Sequence, residues 1–141
     1  MPRAEARRPA GFWIRTVAIL IDGAVLVIAQ MVLGLVAWMA FMDASPVVVG
    51  TASRAFGGAL GALYPVLFHW QWGQTLGKMA VEIRVVTMDG GPLSLGCAVL
   101  RQLGSWVSAA IFGIGYVMAG VRADKRALHD LIAGTRVERL R

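Results

Sequence analysis

From Thr16 to Met42 the chain is an almost unbroken apolar run, with Asp22 as its one charge. A run of that length predicts a helix able to span the roughly 30 Å of a bilayer's hydrocarbon core with some tilt. Pro9 suits the first turn of that helix, where a missing N–H costs nothing, and Asp43-Ala44-Ser45-Pro46 reads as the loop ending it. A second apolar segment, about 55–72, predicts another span and is rich in small residues. Its Gly57 and Gly61 have GxxxG spacing, and packing within the chain is expected over dimerisation, because such stripes are common in membrane helices. Pro65 predicts a kink.

The period then changes. Gly73-Gln74-Thr75 offers a capped start for a short amphipathic helix through Ala80, and Val81 to Thr87 alternates, with Val81, Ile83 and Val85 on one face. Asp89-Gly90-Gly91-Pro92 is a turn cluster, and Thr135 to Leu140 is a second candidate strand. The two strands are expected to pair outside lipid. A third apolar region, 95–121, has the length of a span but is interrupted by Arg101, Gln102, Gly104 and Ser105, which predicts two half-helices.

Charge placement decides how these segments run. Four Lys/Arg lie in residues 1–15, one at Arg54, two in 73–94 and six in 122–141, so both ends are expected on the cytoplasmic side of the plasma (inner) membrane. Two spans return 73–94 to that side, whereas a complete third crossing would carry the six-charge tail away from it. A re-entrant hairpin at 95–121 is therefore expected over a third span, and it leaves both strands on one side of the bilayer. Tryptophans at 13, 38, 70 and 72 fall near the expected interfaces.

Composition agrees with a membrane domain. Of 141 residues, 57% are hydrophobic and 16% charged, with a mean hydropathy of +0.66, more apolar sequence than one soluble core of this size requires. A single domain is expected, since 73–94 is too short for a separate catalytic core. The net charge of +6 flanks the apolar runs instead of forming a nucleic-acid face. Cys97 is the lone cysteine and can build no disulfide framework. The basic start from Arg3 to Arg8 resembles a signal peptide, but the apolar run after it is too long for one, so an uncleaved anchor is expected.

Asp22 is the most informative residue, because a carboxylate inside a spanning helix costs about 2.5–3.5 kcal/mol on insertion scales. Arg15, seven positions earlier, shares its helix face but lies about 10 Å away along the axis. Arg101 is the best candidate partner for Asp22, with His69 next. Such a pair can brace a bundle or line an ion path. Asp130 is expected to accept bonds from a nearby arginine or from backbone. Gly73-Gln74-Thr75-Leu76-Gly77-Lys78-Met79 is one residue short of a P-loop and lacks its Ser/Thr. Neither the histidines nor the serines assemble a metal or nucleophile constellation, so no cofactor, metal or enzyme activity is expected.

Ala10-Gly11-Phe12-Trp13-Ile14-Arg15, Asp22, Gly73-Gln74-Thr75-Leu76-Gly77-Lys78 and Leu128-His129-Asp130-Leu131-Ile132-Ala133-Gly134-Thr135 together resemble the RDD family of membrane proteins over nearly the whole chain. That family is named for an arginine and two aspartates, which the resemblance places at Arg15, Asp22 and Asp130. Val85-Val86, Asp89-Gly90 and Arg101 agree with the same pattern. The resemblance implies a role in transport, some members being reported as cation/proton antiporters.

The leading expectation is an all-α integral membrane protein that moves a proton or small cation using Asp22, with Arg15, Arg101 and Asp130 completing a charge network. Its expected partners are the lipid bilayer and either further copies of itself or a larger membrane protein, with no nucleic acid. The rival expectation is a non-transporting adaptor or assembly subunit whose buried charges are structural.

Overall fold

The computed structural model describes residues 8–111 and 113–141; the basic start before Arg8 lies outside them. It is mostly helical with one small sheet. Helix α1 spans Phe12–Ala40 and helix α2 Pro46–Trp72. A short helix α3 (Leu76–Ala80) leads into strand β1 (Ile83–Thr87). Then follow α4 (Leu95–Ala110), α5 (Ile114–Val121), α6 (Leu128–Ala133) and strand β2 (Thr135–Arg139).

Helix α1 forms because predominantly apolar, proline-free sequence runs for 29 positions, interrupted only by Arg15, Thr16, Asp22 and Gln30 among polar residues. At 1.5 Å per residue it is about 43 Å long, enough to cross a membrane. Its large side chains face outward: Leu20, Ile28 and Met31 are more than 60% exposed. Pro9 does not enter this helix as the sequence suggested. It forms an isolated bridge with Glu138, while the Ala10 N–H donates to the Val137 carbonyl at 2.8 Å, so sheet pairing captures the residues just before the helix.

Helix α2 starts nine residues earlier than the expected segment at 55. The Ser45 hydroxyl accepts from the Val48 N–H and Pro46 occupies the first turn, an N-terminal arrangement that makes a strong start signal. Thr51, Ser53 and Arg54 dilute the apolar character of this first half, which is why hydropathy alone placed the boundary late. Gly57 packs against the Gln30 side chain of α1, where a Cβ would collide with it, whereas Gly61 faces open space. Gln30 Nε2 also donates to the Ser53 carbonyl at 2.9 Å. Those contacts are within the chain.

Arg101, Gln102, Gly104 and Ser105 do not break the third apolar region. They lie inside α4, and the break falls between Ala110 and Ile114, beyond which α5 turns away by 101°. Two features explain the displacement. Arg101 finds a buried counter-charge and needs no helix end, and Gly113 at φ 76° supplies the left-handed residue that starts α5. Among the described residues α1 alone is long and apolar enough to cross a membrane; α4 and α5 reach that standard only as a bent pair.

Strands β1 and β2 pair antiparallel, Ile83 opposite Arg139 through Thr87 opposite Thr135. Ile83, Val85 and Val137 are essentially fully buried and pack with Ala10, Ala18 and Leu93. Val81 joins this core from its edge as the end of α3 and not as a strand residue. The small core therefore sits between the sheet and the start of α1, and together with α3 and α6 it forms a cap on the long helices.

Candidate functional site

Two carboxylates tie the cap to the helices, and each is reached from a different direction. Asp130 lies on α6 and is completely buried. Its Oδ2 accepts from Arg15 of α1 and its Oδ1 from Arg101 of α4, both as ion pairs. The Ala127 N–H also donates to Oδ2 at 3.0 Å, so Asp130, at the third position of its own short helix, reaches back to satisfy the backbone N–H of the N-cap residue. Each arginine is anchored further. Arg15 donates through Nε to the Ala10 carbonyl at 2.9 Å and through Nη2 to the Lys125 carbonyl at 2.6 Å, while Arg101 Nη1 donates to Thr135 Oγ1 at 2.9 Å. Burial alone would raise the Asp130 carboxyl, but the Arg101 and Arg15 guanidiniums outweigh it and hold the group well below the usual carboxylate range.

Asp22 does not pair with Arg101. It faces the loop after α2 instead: the Tyr64 hydroxyl donates to Oδ1 at 2.7 Å, the Thr75 hydroxyl to Oδ2 at 2.5 Å and the Gly77 N–H to Oδ1 at 2.8 Å. Tyr64 Oη in turn accepts from the Leu76 N–H at 2.9 Å. The carboxylate thus receives the otherwise orphaned amide at the start of α3, in the region where the helix dipole favours negative charge. The expected partner fails for a simple reason: Arg101 is already held by Asp130, and three neutral donors reach Asp22 first.

The local sequence explains this docking. Gly73 ends α2 at φ 68°, where a side chain would meet the Val85 carbonyl, and Gln74 Nε2 donates to the Ile83 carbonyl at 3.0 Å. Thr75 caps α3 and bonds Asp22 with the same hydroxyl. Gly77 lets α3 lie directly on α1, since a Cβ there would collide with the Ala18 backbone oxygen. Lys78 Nζ sits 2.7 Å from His69 Nε2. Each polar or glycine position in Gly73-Gln74-Thr75-Leu76-Gly77-Lys78 therefore has its own contact.

Between these two tethers lies a cavity of ≈ 290 Å³, lined among others by Arg15, Asp22, His69, Lys78, Arg101 and His129. Burial and the nearby Arg101 charge push Lys78 down to about 7. Burial and Arg101 likewise push His129 down to about 3, so its imidazole is neutral at ordinary pH. His129 packs against Tyr116 with ring centres 5.0 Å apart and the planes tilted by 55°.

Of the four residues singled out in the sequence, Arg15, Arg101 and Asp130 come together and Asp22 stands apart with its own donors. Tyr64, Thr75, Gly77 and Thr135 were missed as members of the networks. Thr75, Gly77 and Thr135 sit within the two motifs already noted, so the motif itself was their signal. Tyr64, one hydroxyl in an apolar stretch, carried only a faint one.

A small helical protein with a lipid-length apolar helix and an ion-paired cap defines a membrane-type class, and proteins of the RDD family are membrane-associated. This chain belongs to that family: the RDD family model matches residues 9–134. It is 37% identical to the uncharacterised protein YckC of Bacillus subtilis (strain 168), over 92% of this chain and 84% of the relative. It is 30% identical to the uncharacterised protein YxaI of the same organism, over 92% and 97% respectively. An uncharacterised protein of Haemophilus influenzae is 31% identical over 77% of this chain and 70% of its own. No solved structure matches.

Proposed function

We propose that this chain is a multi-pass integral membrane protein of the adaptor or assembly type, in which the RDD charges hold a cytoplasmic cap on a helical membrane anchor. The carrying observation is that both oxygens of Asp22 and both of Asp130 are taken by protein donors. A carboxylate that must bind and release a proton or cation needs lone pairs facing an accessible path; each of these two spends three of about four acceptor positions on docking α3 and α6. Arg84 and Arg139 of the strands are exposed and, with Arg122 and Arg141, which also pair with Asp124 and Glu82, offer positive charge to an acidic partner or to anionic headgroups.

Chain connectivity supports the membrane placement. Residues 8–10, β1 and β2 pair with one another, so if α1 crosses the bilayer, α2 must return and the bent pair α4–α5 must enter and leave on one side. All five tryptophans, from Trp13 to Trp106, are exposed, as interfacial or lipid-facing residues are and as packing residues are not.

A second reading is transport of a proton or small cation, favoured by the cavity that Asp22, His69 and Lys78 share. Proteoliposomes containing the purified chain distinguish the two. Under sodium, potassium and lithium gradients the adaptor reading expects no proton movement above empty vesicles. Flux that a folded Asp22→Asn variant abolishes would establish the transport reading in its place.

A further inference from the structure

The cavity between the two tethers has both charged and apolar lining residues. Arg101, Lys78 and His129 line it together with Arg15, Asp22 and His69, and its lining, chiefly apolar in area, includes Ile19, Leu26, Trp106 and Ala109. Ile19 and Trp106 are about half exposed, so the lining opens sideways where the membrane placement puts lipid.

Three of the polar groups have bonding capacity left over. Arg101 uses Nη1 for both Asp130 and Thr135, and among the described residues its Nε and Nη2 make no hydrogen bond. Lys78 Nζ has one contact, to His69. His129 is 4% exposed, and its Nδ1 is buried with no partner among the described residues, an unfavourable state for a polar atom. In its Nδ1–H tautomer that nitrogen is an unused donor, from which a phosphate oxygen would accept once the imidazole turns toward the cavity.

The charge balance around the cavity has a sign. Arg15, Arg101 and, when it is protonated, Lys78 face the carboxylates of Asp22 and Asp130, three cations to two anions. We propose that the cavity is a binding site for one anionic phospholipid, its phosphate against Arg101, Lys78 and His129 and an acyl chain along Ile19, Leu26, Trp106 and Ala109. A bound phosphate completes the charge balance and also lets Lys78 keep its proton, against the burial and the Arg101 charge that now push it toward neutrality. This site rests on the membrane placement above and not on whether the protein transports anything.

The test uses the full chain in phosphatidylcholine nanodiscs doped with phosphatidylglycerol, with retained lipid counted by native mass spectrometry after transfer to detergent. One phosphatidylglycerol per chain is expected, with phosphatidylcholine not retained. Lys78→Gln should weaken retention about tenfold. Ala109→Trp, which fills the apolar part without touching a charge, should abolish it while the protein stays monodisperse. Equal retention of both lipids, or retention untouched by either variant, would overturn the site. Saturable binding of inorganic phosphate with no lipid retained would overturn its amphiphilic half and leave a free-anion site. A chain that remains in solution without detergent would instead defeat the membrane placement itself.

Discussion

Asp130 shows how much one residue can hold. Removing its charge leaves two buried guanidiniums, Arg15 and Arg101, without a counter-ion, and breaking a buried pair in this way costs about 3–5 kcal/mol. Asp130→Asn is therefore expected to lower the thermal midpoint in detergent sharply, and a midpoint within a degree of wild type would show that the pairs contribute little. Glycines separate similarly. Gly77→Ala drives a Cβ into the Ala18 carbonyl and should cost about 1–3 kcal/mol, whereas Gly96→Ala meets nothing within 4 Å and should be neutral or slightly stabilising; equal effects would contradict the close docking of α3 on α1. Lys78 predicts a pH dependence. Its amine keeps its proton to about pH 10 in the unfolded chain but only to about 7 in the fold. Between those values the unfolded state binds more protons, so stability rises with pH and is lost as pH falls toward 7. Melting curves from pH 7 to 9 should show wild type gaining on Lys78→Met, and parallel curves would remove Lys78 from the buried site.

At the scale of elements, much was legible and the failures share a cause. The two strands and the Thr75 cap of α3 followed from alternation and turn chemistry, which are local, and the pairing of the strands from the charge pattern that put both on one side of the bilayer. The start of α2 and the break in the third apolar region were misplaced because a polar residue was read as an interruption. Thr51, Ser53 and Arg101 are tolerated inside helices because Ser53 and Arg101 have neighbours that contact them and Thr51 is at the surface. The partner of Asp22 failed for the same reason, since which donor reaches a carboxylate first is a tertiary fact. The bend between α4 and α5 carries its own test. With Cys97 replaced by Ser, single cysteines at Ala44 and Gly90 should label from opposite sides of the membrane, and one at Arg141 from the side of Gly90. Labelling of Arg141 from the side of Ala44 would make the bent pair a full crossing.

At the scale of the whole molecule, the RDD residues tie the cap down at two points: Asp130 holds α6 to α1 and α4, and Asp22 holds α3 to α1 and α2. Residues from the beginning, middle and end of the chain meet there and form a three-dimensional clamp. Hydrogen exchange of the reconstituted protein tests that clamp most directly. In Asp22→Asn the account predicts faster exchange at Leu76, Gly77 and Lys78 and through β1, with protection in α1 and the apolar half of α2 retained. Protection of α3 and β1 unchanged from wild type would contradict it, and would return Asp22 to the role of a free carboxylate facing an ion path.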